Sequence, residues 1–190
     1  GYRLLLAGKD VNRLNTFAGS LKEHGARVEV TSMNSAEPLR NADIIMISSS
    51  GEEVQAIADH LRAAAARKII VSTSGEFYPE HTEPPIDSSV AEELQKMLPF
   101  AKVVKTFSIH LGSGFGSPLV NGETRDTFIA GNDHEAVKTI AEVIQNAGYF
   151  PIIAGELRVS RKLEKMQAMF HQLTTGKDFN WYARWKALHS

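Results

Sequence analysis

The sequence predicts an α/β fold built on a doubly wound, mainly parallel sheet, and three observations predict it. Strand-like and helix-like segments alternate along most of the chain. Two strand-like runs, 44–47 and 69–71, are entirely apolar, as expected of parallel strands that are buried on both faces. Small or polar residues follow four of the predicted strands, where ligands bind in sheets of this kind.

Each predicted strand is a short apolar or alternating run, and each predicted helix carries apolar residues at a spacing of three or four. Gly25 is a helix stop, while Ser89 and Glu92 form a capping box. The predicted strands are residues 3–7, 27–31, 43–47, 68–72, 103–109, 127–130 and 151–154. The predicted helices are residues 14–21, 35–41, 52–61, 89–98, 133–147 and 160–173. Segment 77–87, with three prolines, and segment 110–124, with four glycines and one proline, are predicted loops. We expect 44–47 and 69–71 to be central strands.

Composition narrows the class of protein. Of the 190 residues, 43% are hydrophobic and 23% are charged, which is enough apolar material for a packed core. The net charge of −1 argues against a nucleic-acid partner. The chain has no cysteine, which fits the cytoplasm, and no apolar run of about 18 residues that would span a membrane. The histidines and carboxylates lack metal-ligand spacing, so we predict no metal.

Several segments resemble the family of deazaflavin-dependent NADP oxidoreductases, which also includes the cytosolic domains of six-transmembrane ferric reductases. Residues 98–109, LPFAKVVKTFSI, are similar to a lysine–phenylalanine strand of that family. Residues 41–47, 68–74, 128–133 and 147–157 match further family segments in the same order. The family's first strand and its G-x-G-x-x-G turn would precede Gly1, and Ser108 stands where the family has asparagine.

The resemblance implies a Rossmann-like domain that binds NADP(H). The turn after the first visible strand would face the adenosine ribose, where Lys9 and Arg13 suit a 2′-phosphate and Gly8 allows close backbone approach. A solvated basic turn is the alternative for this segment, and Asp10 opposes a phosphate unless it caps the following helix. The other cofactor-binding candidates are Ser48, Ser49, Ser50, Thr73, Ser74 and Ser108.

His110 is the one histidine at a predicted strand end near the proposed nicotinamide pocket, where it could donate a proton or bind substrate. The alternative is an ordinary histidine at the start of a glycine-rich loop. Lys105 is either a substrate contact or a salt-bridged structural lysine. Hydride transfer needs no protein nucleophile, which agrees with the lack of a catalytic triad.

We predict two parts, a dinucleotide-binding domain at 1–157 and a C-terminal helix and tail at 158–190. The aromatic and basic residues of the tail are expected to pack on the domain or on a second subunit of a homodimer. The expected function is an NADP(H)-dependent oxidoreductase that exchanges hydride with a deazaflavin, a flavin or a small carbonyl substrate. The alternative is a non-catalytic NADP(H)-binding sensor or regulatory module.

Overall fold

The computed structural model describes residues 1–33, 35–49, 53–74, 87–107, 118–120 and 122–175, to which every structural statement below refers. The strands are β1 (Arg3–Gly8), β2 (Arg27–Ser32), β3 (Ile44–Ile47), β4 (Ile69–Ser72), β5 (Lys102–Lys105), β6 (Leu119–Val120), β7 (Glu123–Thr124), β8 (Asp126–Gly131) and β9 (Phe150–Gly155). The helices are α1 (Val11–Glu23), α2 (Ala36–Arg40), α3 (Val54–Leu61), α4 (Val90–Met97), α5 (His134–Asn146) and α6 (Ser160–Thr175), the last preceded by a 3-10 turn, Leu157–Val159.

The main sheet has the strand order β3-β4-β5-β8-β9. Strands β3, β4 and β5 are parallel, and β8 and β9 are parallel to each other. The predicted α/β class with a mainly parallel sheet is therefore confirmed. Strand β8, however, is antiparallel to β5, with Val104 opposite Gly131. An apolar run is expected for a strand buried on both faces whichever way its neighbour runs, so the pattern did not reveal this reversal.

Three further features of the structure differ from the sequence predictions. Strand β3 was expected to be central, but it forms one edge of the five-stranded sheet of described residues, and Met46 within it is 50% exposed. Strands β1 and β2 pair with each other in a separate parallel ribbon. Within the predicted loop at 110–124, the short strands β6 and β7 form an antiparallel pair.

Apolar clusters form on both faces of the main sheet. On one face Ile70 and Val103 pack with Ala58 of α3 and Leu94 of α4. On the other face a second cluster joins β4, β5 and β8 to α5, and its members include Val71, Val104, Ile129, Val137, Ile140 and Ile144. A parallel sheet with helices packed on both faces is called doubly wound. The carboxyl ends of β3, β4 and β5 lie between these two helical layers.

Strand β5 is shorter than predicted and ends at Lys105 rather than at residue 109. Two residues later Phe107 adopts a left-handed conformation with φ of 56°, which an extended strand cannot include. The predicted helix caps hold: Ser89 accepts a hydrogen bond from the amide of Glu92, and Gly25 has φ of 84° after α1. None of the described helices is long and apolar enough to cross a membrane.

Candidate functional site

The parallel register brings three strand ends together at one edge of the sheet. Ile47 of β3 lies beside Ser72 of β4, and Ser72 lies beside Lys105 of β5. The residues that follow these strands therefore share one edge, which is where ligands bind in open parallel sheets.

The predicted residues after β3 and β4 are in contact. Thr73 donates both its amide and its hydroxyl to the carbonyl of Ile47, at 3.0 and 3.1 Å. The amide of Ser49 points to the hydroxyl of Ser74 at 3.5 Å. Ser74 and Thr73 are buried, Ser49 is half-buried and Ser48 is exposed. These four residues form one polar edge, while Ser50, Ser108 and His110 lie outside the described residues.

The predicted ribose-binding turn after β1 lies next to the turn after β3. Lys9 forms an ion pair with Glu53, which directly precedes α3, at 2.8 Å between Nζ and Oε1. Asp10 caps α1 by accepting a hydrogen bond from the amide of Arg13 at 3.0 Å. The carboxylate of Asp10 is therefore used by the helix, as one of the two sequence interpretations expected. Both basic side chains at this turn are exposed.

Gly8 has a packing reason as well as the predicted ligand-access reason. A Cβ atom built at this residue would lie 3.1 Å from Cδ1 of Leu14. The missing side chain lets the first turn of α1 pack closely against the end of β1.

Lys105 is fixed by protein groups at the end of β5. Its ammonium donates a hydrogen bond to the carbonyl of Ser74 and lies 3.4 Å from Oε1 of Glu164 in α6, and both charged side chains are completely buried. Glu164 also accepts hydrogen bonds from the amides of Val90 and Ala91 at 2.9 and 3.3 Å. Burial raises the pKa of Glu164, against the opposing effects of Lys105 and the two amides. The structural alternative for Lys105 is thus the one observed, and the lysine holds the end of β4.

Sequence reasoning missed three residues beyond the end of β5. Phe107 packs edge-on against Tyr149, with ring centroids 5.6 Å apart. Burial raises the pKa of Tyr149, and the nearby positive charge of Arg125 opposes that rise. Arg125 lies between β7 and β8 and is only 2% exposed. The antiparallel pairing of β5 and β8 creates this group, and a single sequence carries no signal for it.

A cleft of about 490 Å³ lies at the opposite edge of the sheet, lined by Gly131, Asn132, His134 and Glu156 among others. Gly131 lies opposite Val104, and the chain after it runs antiparallel toward the start of β5, where Lys102 forms an ion pair with Asp133. This cleft is therefore separate from the polar edge formed by Ser49, Thr73 and Ser74. Because parallel strands bind ligands beyond their carboxyl ends, we place the candidate site at the polar edge.

No family model matches the chain. Over 151 residues it is 28% identical to the F420-dependent NADP reductase of Methanocaldococcus jannaschii, in a match that covers 76% of this chain and 67% of that protein. Among solved structures it is similar to a proposed F420-dependent NADP reductase from Arthrobacter sp. FB24, with a TM-score of 0.75 and 22% identity over 92% of this chain and 94% of that one.

A pyrroline-5-carboxylate reductase from Coxiella burnetii also shares the fold, with a TM-score of 0.51 and 13% identity over 91% of this chain and 67% of that one. These structural similarities support a Rossmann-like fold. The resemblance to deazaflavin-dependent NADP oxidoreductases that the sequence motifs indicate is confirmed by the similarity to the Methanocaldococcus jannaschii reductase.

Proposed function

We propose that the chain is an NADP(H)-dependent oxidoreductase that exchanges hydride between the nicotinamide and a deazaflavin. The observation that carries this proposal is the polar edge, where the ends of β3, β4 and β5 converge in register. The name of the Methanocaldococcus jannaschii relative supports the reaction and both redox partners.

The polar edge and the adjoining ends of β4 and β5 fit a hydrogen-bonding ligand because several buried hydroxyls there are unpaired among the described residues. Ser49 Oγ, Ser72 Oγ and Thr106 Oγ1 are buried, and none has a hydrogen-bond partner within the described ranges of the chain. Buried polar atoms are usually satisfied, so unsatisfied ones clustered at strand ends indicate a site that a polar ligand completes. A hydroxyl both donates and accepts, which suits the amide and ribose hydroxyls of a nicotinamide nucleoside.

The adenosine end is assigned to the turn after β1. Arg13 and Lys9 supply two cations for a 2′-phosphate, and Asp10 is engaged as a helix cap. Glu53 neutralises Lys9 here, so phosphate binding exchanges one anionic partner of Lys9 for another. This assignment gives the predicted residues Gly8, Lys9 and Arg13 a common role.

The nicotinamide supplies the hydride when it is bound, and the protein binds and orients it. Ser49 and Ser74 would hold the nucleoside against the strand ends. Lys105 donates a hydrogen bond to the carbonyl of Ser74, so the backbone at Ser74 is held in place before a ligand binds. The buried Phe107 and Tyr149 pair excludes water from one side of the site.

The test is NADPH consumption by the purified chain with F420, flavin, ferric and quinone acceptors compared side by side. We expect F420 to be reduced fastest and Thr106→Val with Ser74→Ala to slow that reaction. Ser20→Ala, on the exposed face of α1, is the matched control and should leave the rate unchanged. Tight NADPH binding without turnover on any acceptor would reject the reductase and favour a binding module.

A further inference from the structure

Arg125 is buried, and one side of its guanidinium fork is unpaired among the described residues. Arg125 is 2% exposed, yet its Nε and Nη2 have no hydrogen-bond partner in the part of the chain that the structure describes. These two nitrogens direct their N–H groups to the same side and bind both oxygens of a carboxylate or phosphate. Arg161 shows the filled state of the same fork, since its Nε and Nη2 each lie 2.7 Å from an oxygen of Glu92.

The backbone holds Arg125 firmly in place. Its amide donates to the carbonyl of Pro118 at 2.8 Å, and its carbonyl accepts from the amide of Phe150 at the same distance. The side chain therefore starts from a fixed point between Pro118, just before β6, and the start of β9. Buried donors of a cation that lack partners are costly, so a fixed position that keeps Nε and Nη2 unpaired points to an anion that binds there.

The register places Arg125 at the same edge as the polar site. Because Lys105 lies opposite Ala130 in the antiparallel pair, the chain before β8 extends past the carboxyl end of β5. Side chains alternate along a strand, so the alternation of β8, continued one residue before its start, places Arg125 on the face of Ile129 and Tyr149.

We propose that Arg125 binds a carboxylate or phosphate group of the hydride-exchanging co-substrate. The turn after β1, which we assign to the adenosine phosphate, is separated from Arg125 by β3, β4 and β5, so the anion belongs to a second ligand. The identity of that ligand as the co-substrate rests on the proposed function, but the anion site itself does not.

The first experiment measures thermal unfolding in sodium phosphate, sodium glutarate and sodium chloride at equal ionic strength. The wild-type protein should unfold at a higher temperature in phosphate or glutarate than in chloride, and the more effective anion identifies the group. Arg125→Met should abolish this difference and unfold in chloride at the same or a higher temperature than the wild type. Arg161→Met, whose fork is already filled by Glu92, is the control that should keep the anion effect.

The second experiment measures steady-state kinetics with F420 and NADPH. Arg125→Met should raise the KM for F420 by about 10- to 150-fold, the value of one charge-assisted hydrogen bond, and leave the KM for NADPH unchanged. Arg125→Lys should restore part of the loss, since it keeps the charge without the fork.

The two proposals fail in different ways. An anion effect that persists in Arg125→Met, or that the wild type lacks, overturns the anion site. If instead NADPH is not consumed while the anion effect depends on Arg125, the proposed function is wrong and the anion site stands.

Discussion

Lys105 and Glu164 form an ion pair in which both side chains are completely buried, with Nζ 3.4 Å from Oε1. The pair connects the last residue of β5 to α6, and through two backbone amides it connects α6 to the start of α4. Each charge depends on the other because neither reaches water. The end of the sheet and the last helix are therefore coupled through these two residues.

Breaking this pair from one side should destabilise the fold strongly. Lys105→Met or Glu164→Gln should each lower the free energy of unfolding by about 3–5 kcal/mol, because a lone partner remains buried. The double variant should lose less than the sum of the two, as measured by urea unfolding. The exposed pair of Lys96 and Glu93 is the control, and Lys96→Met should have little effect. Additive losses in the double variant would contradict the coupling.

This buried ion pair is one of the features that the sequence alone could not predict. Strands β3 and β4 were predictable as strands because short apolar runs suit buried strands, but the pattern did not reveal that β3 lies at one edge of the described sheet. The burial of Glu164 was not predictable, because a carboxylate in an amphipathic helix is normally solvated and the sequence pattern cannot reveal a buried partner in β5. The polar strand ends Ser49, Thr73 and Ser74 were predictable from the rule for parallel sheets. Arg125 was not, since it reaches that edge only through the antiparallel register of β8.

Cofactor preference should depend on the turn after β1. Lys9→Ala and Arg13→Ala should each weaken NADPH binding by about 10- to 150-fold and leave NADH binding nearly unchanged, because only NADPH carries the 2′-phosphate. Dissociation constants from calorimetry provide the measurement. A wild-type preference for NADH, or an unchanged preference in both variants, would reject the assignment.

Glu53 competes with the phosphate for Lys9. Their ion pair is largely exposed, and such pairs are worth up to about 1 kcal/mol, so Glu53→Gln should strengthen NADPH binding by up to about fivefold. The gain should shrink as salt is added, because salt screens an exposed charge pair. Glu29→Gln, which breaks the exposed pair with Arg3 on the neighbouring strands, should leave NADPH affinity unchanged. Weaker NADPH binding in Glu53→Gln would mean that Glu53 contacts the cofactor itself.

The backbone at Phe107 predicts an unusual order of stability. A side chain at φ of 56° costs about 1–2 kcal/mol, which glycine avoids. Both Phe107→Ala and Phe107→Gly lose the edge-on contact with Tyr149, but the glycine variant should be the more stable of the two. At Ala136, buried inside α5, alanine should be more stable than glycine, as is usual in helices. The free energies of unfolding of the wild type, Phe107→Ala, Phe107→Gly and Ala136→Gly are measured by chemical denaturation. A Phe107→Ala variant more stable than Phe107→Gly would show that the left-handed backbone at residue 107 is not a source of strain.

Gly131, the glycine of the Ala-Gly-Asn-Asp segment at 130–133, is required by close packing. A Cβ atom there would lie 2.8 Å from Cγ2 of Val137 and 3.3 Å from the carbonyl oxygen of Val103. Gly131→Ala should therefore lower the free energy of unfolding by about 1–3 kcal/mol, the usual cost of overpacking. Val137→Ala should recover part of this loss in the double variant by removing the methyl group that clashes. If the second substitution only adds its own cost, the clash is not the cause.

Acid should weaken the contact between α4 and α6 through Glu92. The hydrogen bonds from Arg161 hold the pKa of Glu92 below its usual value of 4.5, and the hydroxyl of Ser89 adds to this effect, while partial burial opposes it. A carboxyl group with a lowered pKa in the folded state stabilises the protein fully above pH 4.5. This contribution is lost as the pH falls from 4.5 through the lowered folded value.

Arg161→Met should therefore reduce stability at neutral pH and flatten the fall in stability below pH 4.5, as measured by urea midpoints across that range. Glu93 and Asp133, whose pKa values are also lowered, remain in both proteins, so the difference between the two curves isolates Glu92. Arg158→Met is the matched control, because its ion pair with Glu156 is exposed on both sides and should leave the curve unchanged. Parallel curves for Arg161→Met and the wild type would show that Arg161 does not set the protonation of Glu92.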